Sequence, residues 1–449
     1  MTSENMPQLQ VFDTIPKGWS CAPLRDLVTS SQDGDWIELK DQGGKDFRLV
    51  QMSNIGCYEF VETGNYRYIT NGTFESLNCT KIEVEDILVA RMTDPKGRVG
   101  RAFCWTEDMP PSITSVDVCI LKADKGKILP KYLELFLNHP LTLALSSALL
   151  GGTSHPRLKR RDIESLVVIY PDLSIQSKII RHVLPNLSLV NDILPTIKLL
   201  SQELITSLFR SWFIDFDPVK AKTKGNFPYG MDDETAALFP DSFEVSEHGL
   251  LPKGWTWGTL LDISKIWTGG TPKTSESSYW EGDIPWVSGA DLSSSELFAF
   301  DSARKITSLG VDKSSTKVLP VGTVMITARG TVGATKITAV PMAMSQTSFG
   351  FKAKKGISDA LVYQASQETI RQLRSYAYGA VFDTFTQSTI DITKIAIAPL
   401  EILQAFGKIV DPLFETMKNS AKTEINLATT RDALLPRMMS GQLKVPTEA

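Results

Sequence analysis

The chain has 449 residues, room for about three domains at the usual ~150 residues each, with 42% hydrophobic and 22% charged residues, the balance of a globular protein rather than a disordered or fibrous one. Its formal net charge is −4, so the sum of charges does not announce a polyanionic partner, and any such partner must be met by a local basic face. No apolar run reaches the ~18 residues of a membrane span, Met1 to Gln10 lacks the basic end and apolar stretch of a secretory signal, and Cys21, Cys57, Cys79, Cys104 and Cys119 make an odd set; together these imply a cytoplasmic chain with reduced thiols and no membrane partner.

In chain order, the first landmark is Ile15-Pro16-Lys17-Gly18-Trp19, which recurs as Leu251-Pro252-Lys253-Gly254-Trp255, 236 residues later. Leu24 and Asp26 answer to Leu260 and Asp262, Ala90-Arg91 to Ala328-Arg329, Leu121-Lys122-Ala123 to Phe351-Lys352-Ala353, and Asp162-Ile163 to Asp391-Ile392, with the offset drifting to 229 as unequal loops would make it. Such a repeat implies two copies of one fold, and two copies related by a pseudo-two-fold suit a target or partner that is itself two-fold.

Within each copy, short β-branched and aromatic runs bounded by turn formers read as strands: Asp46 to Gln51, Tyr66 to Thr70 and Ile87 to Arg91 first, then Ile284 to Val287, Val324 to Ala328 and Ala334 to Val340. Pro130 to Leu150 and Asp359 to Ala377 carry helical spacing. Two windows of the first copy are basic, each with a net +3: Arg91, Lys96, Arg98 and Arg101 against Asp94, and Arg157, Lys159, Arg160 and Arg161 against Asp162.

Each copy then turns helical. From Ser174 to Phe216 the apolar residues Ile175, Ile179, Val183, Leu187, Val190, Ile193, Ile197, Leu200, Leu204 and Leu208 alternate steps of three and four, a narrow seam like that of a coiled coil. Glu401 to Leu443 repeats it through Leu403, Phe406, Ile409, Val410, Phe414, Met417, Ile425, Leu427 and Leu434. A proline removes a backbone bond, so kinks are expected near Pro185 and Pro412, and Pro195 weakens the first long helix near its start. The expected fold is therefore α+β: two repeated globules joined by two long antiparallel helices. The divisions are 1–173, a long helix 174–217, an irregular connector 218–250 with a short helix near Glu234 to Leu238, 251–400, and a second helix with tail 401–449.

Catalytic patterns are missing. Gly407-Lys408 lacks the rest of a phosphate-binding loop, Gly330-Thr331-Val332-Gly333 lacks the third glycine of a dinucleotide fingerprint, and no Asn-Pro-Pro-Tyr-type segment of an amino-methyltransferase occurs. His139, His155, His182 and His248 are scattered without a Cys-x-x-Cys, so no zinc site is expected. The chain reads as a binder rather than a catalyst.

The duplicated Pro-Lys-Gly-Trp, Trp267-Thr268-Gly269-Gly270-Thr271-Pro272, Ile284-Pro285-Trp286-Val287, Trp212-Phe213-Ile214-Asp215-Phe216-Asp217-Pro218 and the closing Leu434-Leu435-Pro436-Arg437-Met438-Met439-Ser440-Gly441-Gln442-Leu443 stand in an order that resembles the specificity subunit of type I restriction-modification enzymes. The first copy departs from the pattern, with Ser31-Gln32-Asp33-Gly34-Asp35-Trp36 in place of the Thr-Gly-Gly-Thr-Pro segment, which leaves its strand layout open. The resemblance implies two target-recognition domains reading different halves of a bipartite double-stranded DNA site, and helices that set half-site spacing and dock two methyltransferase subunits. S-adenosylmethionine would belong to those subunits, ATP and Mg to restriction/translocase subunits, and no cofactor to this chain. A helix of about 35 residues spans ~50 Å, which puts half-site centres about one to one and a half DNA turns apart.

Under that reading the DNA contacts are Arg91, Lys96, Arg98, Arg101, Ser154, Arg157, Lys159 and Arg160 in the first domain and Arg329, Thr331, Ser345, Gln346, Thr384 and Gln387 in the second. Arginine suits guanine, lysine phosphate, and glutamine or threonine base edges. Leu208, Phe209, Trp212, Phe213 and Phe216 suit the cap of the two-helix core or anchors for a partner subunit, and the resemblance implies both, with core inside and methyltransferase subunits outside. Two other classes compete: a self-contained DNA-modifying or cleaving enzyme, and a helical scaffold that binds no DNA.

Overall fold

The structure is a computed structural model that describes residues 15–107, 109–151, 156–329, 332–376, 386–439 and 443. The chain folds as two compact units, Met1–Ile193 with Ile425–Ala449, and Leu194–Glu424. Both boundaries fall inside long helices, so each unit is closed by a segment from the other copy of the repeat.

The first unit contains β1 (Ser20–Pro23), β2 (Val28–Asp33), β3 (Phe47–Val50), β4 (Tyr68–Ile69), β5 (Ile87–Ala90), β6 (Ala102–Cys104), β7 (Ser112–Thr114), β8 (Val118–Ala123) and β9 (Val167–Tyr170). One sheet has the order β2-β8-β5-β6, a second β4-β3-β7, and β1 pairs with β9. In the second unit a hairpin of β10 (Phe243–Ser246) and β11 (Gly249–Pro252) precedes β12 (Thr256–Gly258), β13 (Ser264–Thr268), β14 (Trp280–Val287), β15 (Phe298–Ala299), β16 (Arg304–Ile306), β17 (Val324–Thr327), β18 (Thr335–Thr338), β19 (Ala343–Met344), β20 (Ser348–Ala353) and β21 (Ile395–Ile397). Its sheets run β13-β20-β17-β18-β15 and β16-β14-β19, and β12 pairs with β21. Apart from the β10–β11 hairpin and the added β15, strand for strand this is the first unit again, down to the parallel pairing of β3 with β7 and of β14 with β19.

The repeated motifs are structural devices. In both Pro-Lys-Gly-Trp turns the tryptophan amide donates to the proline carbonyl, at 3.0 Å for Trp19–Pro16 and for Trp255–Pro252, and Gly18 and Gly254 take φ of 86° and 80°, which glycine alone adopts without strain. Trp255 is buried against Phe213, Phe216 and Phe239, so the Trp-Phe-Ile-Asp-Phe segment is the other half of its packing site. The indole of Trp286 donates to Gly270 O at 2.9 Å, tying Ile-Pro-Trp-Val to Thr-Gly-Gly-Thr-Pro.

The missing Thr-Gly-Gly-Thr-Pro of the first unit proves to be a change of side chains, not of layout. Gly34 occupies the place of Gly269: a Cβ on Gly34 would lie 2.3 Å from Ser115 O, and one on Gly269 would lie 2.0 Å from Ser345 O. Asp35 and Gly270 then donate their amides to the carbonyls of Thr114 and Met344, at 2.8 and 3.0 Å.

The first long helix differs from its sequence pattern. It runs through Pro185 as Leu173–Ser188, widens to a π turn at Leu189–Ile193, and continues as Leu194–Phe213. The π turn lies directly before Pro195, which has no N–H to bond four residues back. The wider turn shifts the buried face by one residue. Ile179, Val183, Leu187 and Val190 are buried as the spacing predicts, but beyond the turn the core side is Leu194, Ser201, Ile205, Phe209 and Trp212, while Ile193, Leu200 and Leu204 of the expected seam are exposed. The second helix, Leu400–Met439, is continuous through Pro412. The Pro130–Leu150 helix is two, Pro130–Leu137 and Pro140–Ala148, broken at His139-Pro140 because the residue before a proline disfavours the helical region. The connector is more ordered than its composition implies, with helices Asp217–Thr223 and Asp233–Leu238 leading to the β10–β11 hairpin.

In the second unit the helix Leu194–Phe213 runs antiparallel to the start of Leu400–Met439: Lys198 meets Glu424 at 2.5 Å, and the Phe406 ring lies 5.6 Å from Trp212 and 5.1 Å from Phe213. In the first unit Met438 joins the core of Ile179, Val183 and Leu187. Among the described residues no helix is long and apolar enough to cross a membrane. Phe406→Ala is expected to destabilise the second unit by about 3–5 kcal/mol, the usual cost of emptying a buried aromatic site; urea denaturation of the chain followed by tryptophan fluorescence checks this, and a loss below about 1 kcal/mol contradicts the packing described.

Candidate nucleic-acid interface

The loop between β5 and β6 is built on Asp94. Its carboxylate accepts the amides of Lys96 and Arg98 at 3.0 and 2.8 Å and the Arg98 guanidinium at 2.9 and 2.7 Å, while Gly97 turns the chain with φ of 76°. Burial works against the charged carboxylate, but the backbone and side-chain bonds from Arg98 outweigh it and hold Asp94 below the ordinary carboxylate range. Lys96 stands exposed on the tip.

Arg91 and Arg101 do not face outward. Arg91 donates to Leu158 O at 2.9 Å and Val116 O at 3.1 Å and sits 2.9 Å from the Asp33 carboxylate. Arg101 is buried, donates to Ile55 O, and feels burial as a lowered pKa. Both hold the loop from which Lys96 projects, and the bonds they make run inward to the protein rather than outward from the surface. Leu158 N returns a bond to Arg91 O at 2.8 Å, so the two basic windows of the sequence are adjacent. In the second window Arg157 pairs with Asp117 at 2.9 Å and Arg160 with Glu164 at 3.5 Å, whereas Lys159 is exposed, as is Arg161. Ser154 lies outside the described residues.

In the second unit the backbone register places Ala328, not Arg329, at the position of Arg91: Arg91 N donates to Asp117 O and Ala328 N to Thr347 O, while Gly100 N and Gly333 N close the two hairpins onto Ala90 O and Thr327 O. A shift of one residue along a strand reverses the face, and Arg329 is accordingly exposed where Arg91 is tied down. Gln346 is exposed in the turn between β19 and β20, and Gln387 begins the helix Gln387–Ile392 on its open side. Ser345 is buried, with its hydroxyl 2.7 Å from Thr347 Oγ1, and supports the turn instead of facing solvent. Thr331 and Thr384 lie outside the described residues. Among the described residues no group of three or more His, Cys, Asp or Glu side chains is placed to hold a metal ion.

Of the aromatic anchors, Phe209, Trp212 and Phe213 are buried in the core of the second unit, and Leu208 and Phe216 pack against it. That burial is what a core cap requires, and the outward apolar surface of that helix is Leu199, Leu200 and Leu204.

One pair of residues escaped the sequence reading. Arg67, just before β4, and Arg304, at the start of β16, stand at the same place of the repeat, each followed by the same pattern, Tyr68-Ile69-Thr70 and Lys305-Ile306-Thr307; the repeated Arg-x-Ile-Thr is the signal that could have revealed them.

A family model for the type I restriction modification DNA specificity domain matches residues 16–197 and 252–427. This chain belongs to that family. The two matched spans are the two copies of the repeat. Over 469 aligned positions it is 25% identical to the type I restriction enzyme HindI specificity subunit of Haemophilus influenzae, covering 91% of this chain and 100% of that protein. The MjaIX specificity subunit of Methanocaldococcus jannaschii is 24% identical, with 96% and 95% covered. The crystal structure of a type I restriction-modification system S subunit from M. genitalium shares the fold with a TM-score of 0.58 at 14% identity, covering 99% of this chain and 100% of that one.

The Asp94 loop carries a pH dependence. Because the folded pKa is depressed, the contribution of the carboxylate is complete above about pH 4 and is lost as pH falls through the lower folded value. The protection factor of the Arg98 amide, its exchange set against that of an unstructured amide at the same pH, is expected to fall in the wild type as pH drops through the depressed Asp94 value and to be low already at neutral pH in Asp94→Ala; protection of that amide in the variant contradicts the role given to Asp94.

Proposed function

We propose that this chain is the DNA-specificity subunit of a type I restriction-modification complex. Each unit reads one half of a bipartite double-stranded site. Methyltransferase subunits dock on the helices, and through them restriction subunits join. The chain itself performs no catalysis, and S-adenosylmethionine, ATP and Mg are held by its partners.

The observation that carries this reading is a shared frame with unlike readers. Both units have the same strand order, the same glycine approach and the same hairpin closure. Between those fixed points the loop of the first unit, closed on Asp94, carries Lys96 and Arg98, while its counterpart in the second presents Arg329. A common frame offers the two halves of a duplex site the same approach, and unlike loops allow different base sequences to be read. The exposed lysines are suited to phosphate neutralisation, and Gln346 and Gln387 to base edges.

Docking is supported by the π turn. It turns part of an apolar seam outward, leaving Leu200 and Leu204 53% and 58% exposed one helical turn apart. An apolar stripe of this kind on a helix is the surface a partner helix covers.

Mapping methylated bases in the host genome with and without this chain tests the reading: a split motif should vanish with the chain, and an unchanged methylation map overturns it. Purified chain alone should bind no S-adenosylmethionine. Replacing Leu200 and Leu204 together by Glu should abolish co-purification with the methyltransferase subunits while leaving the circular dichroism melt of the chain unchanged; full assembly of the double variant removes this docking surface from consideration.

A further inference from the structure

The two arginines Arg67 and Arg304 are equivalent in space as well as in sequence. In the first unit Phe47 pairs with Ile69, Arg48 with Tyr68, and Leu49 N donates to Arg67 O at 2.9 Å. In the second, Ile284 pairs with Ile306, Pro285 with Lys305 and Trp286 with Arg304. The threonine that follows caps the next helix in both units: Thr70 Oγ1 accepts from Thr73 N at 3.1 Å, and Thr307 Oγ1 from Gly310 N at 3.0 Å. Arg67 and Arg304 therefore occupy one position of the repeat, at the edge strand of the smaller sheet.

The surroundings of the two differ: Arg304 is exposed and Arg67 is half-buried. Arg304 lies with its central carbon 3.5 Å from the ring centroid of Trp280 and 5.5 Å from that of Trp286. Stacking fixes the plane of the group and leaves its edge, where the N–H donors are, directed outward; Arg304 is exposed. The Arg67 side chain is half-buried beside Gln51, a neutral neighbour; with the Gln51 amide turned so that its oxygen faces the arginine, that oxygen accepts from Nη1 and Nε at 3.0 and 3.1 Å. Lys122 and Lys352 are also equivalent, but each is neutralised by a carboxylate, Glu83 at 2.7 Å and Asp359 at 2.6 Å.

Both arginines pair with the central strand of the smaller sheet, whose parallel neighbour runs on into the turn that leads to the larger sheet. Leu49, opposite Arg67, leads through Val50 to Ser115 and to Val116, whose carbonyl binds Arg91. Trp286, opposite Arg304, leads through Val287 to Ser345 and to the exposed Gln346.

We infer that Arg67 and Arg304 are a matched pair of phosphate clamps, each gripping the sugar-phosphate backbone of its own half-site and setting the register from which the unlike loops read bases. What is common to both half-sites is the backbone, and what differs is the base sequence. A cation retained at one position in two otherwise dissimilar units fits the common feature. This rests on the specificity-subunit reading above.

The test uses the complex of this chain with its cognate methyltransferase subunits and a duplex bearing the split motif found by methylation mapping, titrated at several salt concentrations. Arg67→Gln and Arg304→Gln should each weaken binding roughly tenfold and lower the slope of log affinity against log salt by about one, without altering which bases are preferred in either half-site. The double variant should show close to the product of the two losses. Arg67→Lys and Arg304→Lys should restore the slope, because lysine carries the same charge. Unchanged affinity and slope in folded Gln variants overturn the inference. So does a changed base preference confined to one half-site, or a slope that lysine fails to restore. If the wild-type complex itself does not prefer the split motif, the functional reading fails first; if it does and the variants are indifferent, only the clamp assignment fails.

Discussion

In each unit the two sheets are joined where a glycine lies directly against a backbone carbonyl, Gly34 against Ser115 and Gly269 against Ser345. There is no room for a methyl group at either place, since a Cβ would fall 2.3 and 2.0 Å from those oxygens. The approach brings β2 or β13 to the end of the parallel strand pair and sets the turn from which Ser115 and Ser345 bond back to Val50 and Val287. The neighbouring hairpin, the basic loops and the edge-strand arginines are all positioned from that junction. A frame this constrained tolerates wide change in the loops it carries, as loops with their ends fixed by a rigid scaffold do.

Charge in the sequence and charge on the surface are different quantities in this chain. The window from Arg91 to Arg101 carries a net +3, but most of its cations are internal fasteners: Arg101 is buried, Arg91 is bound to two carbonyls and an aspartate, and Arg98 closes its own loop on Asp94. Arginine serves this purpose well because its planar fork satisfies several acceptors at once. The second unit presents Arg329 and Arg304 openly.

The duplication, the long helices and the main strand positions were legible because they depend on local patterning and on turn residues with fixed backbone needs, such as Gly18 and Gly254. The equivalence of Gly34 with Gly269 was not, because a single glycine shared between dissimilar segments carries no pattern; only the carbonyl it touches identifies it. The pairing of Arg91 with Arg329 failed by one residue, which on a strand is enough to exchange an anchored side chain for a free one. The buried face of the first long helix was correct up to Val190 and wrong beyond it. Hydrophobic spacing assumes 3.6 residues per turn throughout, and the π turn before Pro195 breaks that assumption while the apolar residues on the outer side keep the old period. Ser345, Phe209, Trp212 and Phe213 were singled out for chemistry suited to an interface, and the same chemistry suits a packed interior; burial alone tells the two apart.

The division of the chain has a consequence for its birth on the ribosome. The first unit includes Ile425–Ala449, so the segment that supplies Met438 to its core is synthesised only after the whole of the second unit. Domains ordinarily fold one after another as they emerge. Here the N-terminal unit must wait, incomplete, through the manufacture of the whole second unit, and a message truncated near its 3′ end would yield a chain whose defect lies at the opposite end of the sequence from the lesion.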